Sequence, residues 1–262
     1  MGDKVILKRR SLGSSDLMVA PISLGTVKLG RNTGVKYPEK FELPSDQQIV
    51  HLLETASELG VNLIDTAPAY GNSEQRLGKL LPGAREDWVL CTKAGETYVD
   101  NTSLFDFSEN AIEQSVSRSL KHLGTDYLDI VLLHSNGDDL EILDHTSAME
   151  TLARLKTRGD IRLIGISTKT VEGGLKALEV SDVVMVSLNA NDQSQLDVIA
   201  QAQSMQKGIL LKKVMESGLG VPDNNLRFAL SCAGVHSAVL GTINPEHLRQ
   251  NAQIAAATLE SL

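Results

Sequence analysis

Eight short apolar or β-branched runs alternate with longer helix-patterned segments along almost all of the 262-residue chain. The runs fall at residues 22–24, 62–64, 89–92, 128–133, 161–166, 183–187, 209–211 and 238–240, each bounded by turn residues. Between them, apolar residues recur at helical spacing, as in Ile49, Leu52, Leu53, Ala56 and Leu59, or Ile112, Val116, Leu120 and Leu123. Gly60, Gly124 and Gly159 follow such segments, where a helix that must stop needs a residue tolerant of left-handed backbone. Unbroken strand–helix alternation requires a parallel sheet covered by helices, and eight units predict a closed (β/α)8 TIM barrel. A doubly wound sheet would use fewer strands and a glycine-rich turn after the first, which Leu24-Gly-Thr-Val-Lys-Leu-Gly30 does not supply. Ahead of the first barrel strand, residues 5–19 with a Gly13-Ser14-Ser15 turn predict a β-hairpin that plugs the barrel's N-terminal end.

A chain of this length with 42% hydrophobic residues can bury one substantial core, so residues 1–262 are expected to form a single domain. The net charge of −8 and the lack of any basic block argue against nucleic acid or an anionic membrane surface as partners. Small molecules fit better. No stretch approaches the ~18 apolar residues of a membrane span, and the charged start at Asp3, Lys4, Lys8, Arg9 and Arg10 has no apolar secretory core. Only Cys91 and Cys232 carry thiols, both within packing patterns, which predicts a reduced, cytoplasmic protein. Oligomeric state is left open.

Active sites of such barrels are built where the strands end and the βα loops begin. By that rule Asp65 ends the second strand, Tyr70 sits in the following loop, Lys93 ends the third strand and His134 the fourth. Each has an ordinary alternative: a helix cap, a packed phenol with a wet hydroxyl, a solvated lysine or imidazole. Three consecutive strands ending in an acid, a cation and an imidazole, with a phenol between, point instead to a shared site. The set suits proton transfer to a carbonyl oxygen, where negative charge develops as hydride reaches the carbon. Tyr70 is the expected donor, Lys93 the cation that favours its phenolate, and Asp65 the partner that keeps Lys93 charged. His134, as a neutral imidazole, is expected to orient the carbonyl by a hydrogen bond or to share in proton relay.

The motifs Asp65-Thr66-Ala67, Tyr70-Gly71-Asn72 with Glu74, Thr92-Lys93 and Leu132-Leu133-His134 resemble those of the aldo-keto reductases, and the likeness runs from Leu12-Gly13 to Asn251. The resemblance implies a barrel that binds NADP(H) across its mouth and a catalytic tetrad of Asp65, Tyr70, Lys93 and His134. It further implies Gly25 and Thr26 beside the nicotinamide, and Ser167 on its carboxamide. The cofactor half departs from the family pattern. Ser167-Thr168 stands for Ser-Asn, Met185 for a glutamine, Lys212 for a stacking aromatic, Gly241 for a lysine and His247 for an arginine. Lys212 or Lys213 would then approach the pyrophosphate or stay solvated.

Gly241 and Thr242 follow the eighth strand and precede a helix starting near Pro245, an arrangement whose free N–H groups and dipole favour a phosphate. Thr242, His247 and Asn251 are the residues expected to hold the adenosine end, and the plain alternative is that Thr242 and Asn244 only start the helix. NADPH is the expected cofactor, with NADH use possible. The pocket loops, 27–31, 96–107 and 135–144, carry few aromatics, compatible with a small or polar aldehyde; Lys28 and Arg31 attract an anionic carbonyl or are solvated. Three classes follow: a carbonyl reductase, a nicotinamide-binding regulatory barrel, and a Schiff-base enzyme using Lys93 as nucleophile, against which Asp65 argues by holding that lysine protonated. A metal site is not expected, because His51, His122, His134, His145, His236 and His247 are scattered.

Overall fold

The computed structural model describes residues 5–35, 37, 40–218 and 222–262. Two short strands, β1 (Arg10–Ser11) and β2 (Met18–Val19), pair antiparallel ahead of β3 (Ile22–Gly25). There follow α1 (Val27–Gly30), α2 (Asp46–Glu58), β4 (Leu63–Asp65), α3 (Ser73–Leu80), β5 (Val89–Ala94), β6 (Glu96–Val99) and β7 (Thr102–Phe105). The chain continues through α4 (Glu109–Leu123), β8 (Leu128–His134), α5 (Asp139–His145), α6 (Ala148–Arg158), β9 (Ile161–Ser167), α7 (Val171–Val180) and β10 (Val183–Ser187). It closes with α8 (Leu196–Ser204), β11 (Gly208–Lys212), α9 (Pro222–Ser231), β12 (Ser237–Leu240) and α10 (Pro245–Glu260). Strands β3, β4, β5, β8, β9, β10, β11 and β12 form a closed parallel barrel in that order, so all eight expected runs are barrel strands.

Several strands run further toward the mouth than the apolar runs that announce them. At that end β4, β8, β9 and β11 take in Asp65, His134, Ser167 and Lys212 respectively. The parallel ladder pairs Asp65 with Gly25 and Cys91, His134 with Ser167, and Lys212 with Ser187. Register therefore fixes the height of these polar side chains on one rim.

Two apolar layers surround the strands. The outer one joins strands to helices, for example Ile64, Leu90 and Val131 with Ile49, Leu77 and Ile112. The inner one fills the lower barrel with Leu63, Cys91, Ile130, Leu163 and Leu210, capped by Leu12, Leu17 and Val19 of the β1–β2 hairpin. The hairpin is the expected plug: Ser14 donates its N–H to Gln206 O at 2.9 Å, and Leu12 is 1% exposed. Ser45 caps α2 in a reciprocal box with Gln48, and Gly124 ends α4 at φ 63°, as the stop signal requires. Among the described residues, no helix is long and apolar enough to cross a membrane.

One element differs from expectation. Residues 96–107, read as a loop, contain the β6–β7 hairpin, turned at Asp100 and Asn101 with φ of 50° and 60°. Two consecutive left-handed residues make the tight turn that matches strand twist, and Asp-Asn tolerates it.

Candidate active site

Lys93 and Asp65 form the base of the site. Lys93 Nζ lies 2.5 Å from Asp65 Oδ1 and donates to Thr66 O at 3.0 Å, with the lysine 2% and the aspartate 3% exposed. Burial alone would lower the ammonium's pKa, but the carboxylate and the Tyr70 phenol outweigh it, and Lys93 is raised above its ordinary value. A lysine so held is a fixed cation and a poor nucleophile.

Tyr70 stands over this pair, its ring centroid 4.9 Å from Lys93 Nζ. Its loop is pressed against α1: a Cβ on Gly30 would lie 2.3 Å from Tyr70 O, and one on Gly71, at φ 64°, would lie 2.1 Å from Gly30 O. Two glycines thus permit a backbone approach that sets the height of the phenol. Thr92 Oγ1 donates to Glu74 Oε1 at 2.6 Å and ties α3 to β5 behind it. The phenol does not titrate nearer neutrality, as proximity to the ammonium suggests from sequence. Burial raises its pKa, Lys93 lowers it, and Asp65 and Glu96 raise it again, for a net rise tempered by the solvent access the ring retains.

His134 completes the rim, its ring edge-on to Tyr70 at 6.1 Å between centroids. Nδ1 lies 2.6 Å from Glu96 Oε2, a close contact that falls off the line of a ring N–H. Burial lowers the imidazole pKa, Glu96 counters, and Lys93 and Lys212 lower it further; the net shift is downward. All four expected catalytic residues border one cavity of about 340 Å³ at the C-terminal end of the barrel.

The sequence matches the aldo/keto reductase family over residues 21–211. The chain belongs to the aldo-keto reductases. A protein from Pseudomonas aeruginosa assigned to the aldo-keto reductases shares 46% identity, with 98% of each chain covered and a TM-score of 0.91. An uncharacterized oxidoreductase of Bacillus subtilis is 26% identical over 96% of this chain and 92% of its own length. The NADH-specific methylglyoxal reductase of Escherichia coli is 32% identical over 61% of this chain and 51% of its own. This aldo-keto reductase is accordingly an oxidoreductase.

Of the residues expected at the cofactor, Gly25, Thr26, Ser167, Lys212 and Gly241 line that same cavity. Thr26 Oγ1 donates to Asp65 O at 2.8 Å and accepts from Ser73 Oγ at the same distance, so its hydroxyl is committed to the fold. Lys212 Nζ donates to Ser167 Oγ at 2.8 Å and to Thr168 O at 2.6 Å. Burial, aided by Lys213, pushes Lys212 down to about 7. Thr168 Oγ1 is buried without a hydrogen-bond partner among the described residues.

The adenosine-end residues stand apart. Thr242, His247 and Asn251 do not line the cavity. Thr242 Oγ1 accepts from Asn244 N at 3.0 Å, and the Asn244 side chain caps α10 at Glu246 N at 2.9 Å. His247 is exposed, and Asn251 is buried in the helix.

Three lining residues were not singled out from the sequence. Tyr37 reaches over the rim, its hydroxyl 2.9 Å from where a Gly241 Cβ would stand, with Lys28 Nζ 3.9 Å from its ring centroid. Its signal was an aromatic pair, Tyr37 and Phe41, in a chain with only 3% aromatic residues. Lys169 and Glu96 border the adjoining half of the opening, next to Arg31 and Phe105. Their only sequence cue is position, just after β9 and β5.

Proposed function

We propose that this aldo-keto reductase reduces small aldehydes or ketones to alcohols, with NADPH as preferred donor and NADH usable, and with Tyr70 delivering the proton. One observation carries the reading: a phenol at the cavity rim stands over a buried lysine whose charge is locked by an aspartate. The cofactor, when bound, supplies a hydride to the carbonyl carbon. The cavity suits such a group. Ser167 Oγ, which lines it and accepts from Lys212, keeps its own proton to donate to a carboxamide, and the next residue, Thr168, has a buried Oγ1 with no partner among the described residues. Gly25 and Gly241 present bare backbone beside it, and Thr242 ahead of α10 with His247 and Asn251 within it would hold the adenosine end.

Tyr70 does the acid chemistry. Because its pKa is raised, the phenol is fully protonated at working pH and ready to give its proton to the developing alkoxide. Lys93 then faces a new phenolate and compensates its charge, while Asp65 keeps the lysine protonated throughout. The tyrosine regains a proton from solvent through the open rim. His134, on the same rim, positions the carbonyl oxygen. The size of the cavity and the methylglyoxal reductase among the relatives support a small aldehyde. With a charge of −8 and free thiols at Cys91 and Cys232, the reading extends to a cytoplasmic enzyme.

The test is NADPH and NADH oxidation by the purified protein across small aldehydes, ketones and sugars. Turnover with at least one carbonyl is expected; tight cofactor binding with no turnover on any of them would reject the reductase reading in favour of a regulatory barrel.

A further inference from the structure

The β6–β7 hairpin brings a carboxylate to the catalytic imidazole. Gly95, at φ 97°, turns the chain out of β5 where a Cβ would meet Phe107 Cε1 at 2.4 Å, and Glu96 is the first residue beyond the turn. Its Oε2 stands 2.6 Å from His134 Nδ1, and it pairs in register with Phe105 on the rim of the substrate half of the opening. His134 Nδ1 is fully enclosed, whereas the ring itself borders the cavity.

We propose that Glu96 is a positioning residue that keeps the His134 proton on Nδ1, so that Nε2 offers a lone pair when the ring is neutral and a proton only when it is charged. The reason is electrostatic. A neutral imidazole protonated on Nε2 would aim the Nδ1 lone pair at an oxygen of an ionised carboxylate, two negative ends in contact in an enclosed site. The carboxylate is ionised at any working pH. Although burial opposes it, His134, Ser103 and Arg31 lower Glu96 to about 2. A carboxylate that fixes the tautomer of a neighbouring imidazole is a known way of assigning roles to its two nitrogens.

This deepens the proposed reductase and rests on it for its kinetic consequence. A neutral His134 so held accepts at Nε2 and cannot donate to a carbonyl oxygen, so the orienting role expected of a neutral ring passes to the imidazolium. The groups facing the ring are Glu96 from β6, Lys93 from β5, Lys212 from β11 and Tyr70 from the loop after β4; Lys169 and Arg31 border the same opening. Among the shifts resolved for His134, Glu96 supplies the one attraction that favours the charged ring, against burial and two lysines. Carbonyl reduction should therefore speed up as pH falls through the His134 titration.

The experiment is two-bond 1H–15N NMR of the full chain labelled in histidine, with His134 assigned by the signal missing from His134→Asn. The expected result is the Nδ1–H tautomer in the wild type at neutral pH. In Glu96→Gln, whose amide can donate to Nδ1, the balance should move toward Nε2–H and the titration should fall by roughly one pH unit. Glu96→Asp, which keeps the charge, should retain the Nδ1–H form. In the kinetic arm, the alkaline limb of kcat/KM for reduction moves to lower pH in Glu96→Gln by the same amount. A wild type in the Nε2–H form, or a His134 titration unmoved in Glu96→Gln, overturns the proposal. The wild-type spectrum alone decides it if the variant does not fold. Absence of turnover on any carbonyl would reject the reductase reading and leave the tautomer measurement to judge Glu96.

Discussion

Lys212 Nζ reaches across the barrel mouth to Ser167 Oγ, 2.8 Å away, and so joins the end of β11 to the end of β9, beside the site proposed for the nicotinamide amide. The lysine titrates near neutrality because it is buried and faces Lys213 and Lys93. It is charged below about 7 and neutral above. An anionic cofactor favours the charged form, so binding takes up a proton and weakens as pH rises. NADPH affinity measured by fluorescence should fall roughly fivefold, about 1 kcal/mol, from one pH unit below that value to one above. In Lys212→Met the dependence should be flat.

Asp65→Asn strands a buried ammonium. Removing one member of such a pair costs about 3–5 kcal/mol, a fall in Tm on the order of 10 °C for a chain of this size. The raised Lys93 pKa means that the pair's contribution is fully present below the unfolded lysine value and is lost only as pH rises through the folded one. The wild-type pair should thus contribute equally at pH ~6 and pH ~9, both below the unfolded lysine pKa of about 10.4. The unpaired lysine of the variant, which burial alone lowers, sheds its charge as pH rises, so calorimetry should find a smaller Tm gap at pH ~9 than at pH ~6.

Gly30→Ala drives a methyl into Ser73 N and Tyr70 O, at 2.2 and 2.3 Å from an ideal Cβ. The neighbours are backbone and yield only by moving the Tyr70 loop. Overpacking of this kind costs about 1–3 kcal/mol, and displacing a proton donor by ~1 Å costs about a hundredfold in rate. The expected outcome is a modest loss in Tm with a large loss in kcat.

Leu12→Ala is the control at the opposite end of the barrel. Leu12 is 1% exposed and packs against Gly208 within the plug, far from the rim side chains. Denaturant unfolding should show a loss of about 2–4 kcal/mol, with kcat and KM unchanged at a temperature where the variant is folded.

The barrel was legible because its period is. Eight apolar runs with helical segments between leave few other architectures, and Gly124 and Gly159 mark helix ends by backbone chemistry alone. The clustering of Asp65, Lys93 and His134 was legible because strand ends in a barrel converge: Asp65 and His134 end β4 and β8, and Lys93 stands one residue short of the end of β5. Glu96 was not, because its reach to His134 depends on a hairpin read as a loop, and the Asp100–Asn101 turn is the signal that was there to use. Nor was Tyr37, because its approach to Gly241 is a contact between distant residues that no periodicity encodes. The phenol's pKa was misjudged because burial cannot be read from spacing: proximity to Lys93 was visible, whereas the desolvation that outweighs it was not.

The most direct test of the account is Tyr70→Phe, which removes one hydroxyl and leaves the ring that packs over Lys93. NADPH titration and single-turnover reduction of a competent aldehyde should show cofactor affinity within about twofold of wild type, and a rate lower by about 10²–10⁴, the usual worth of a positioned proton donor. Reduction by Tyr70→Phe at the wild-type rate would contradict the assignment of the proton to Tyr70.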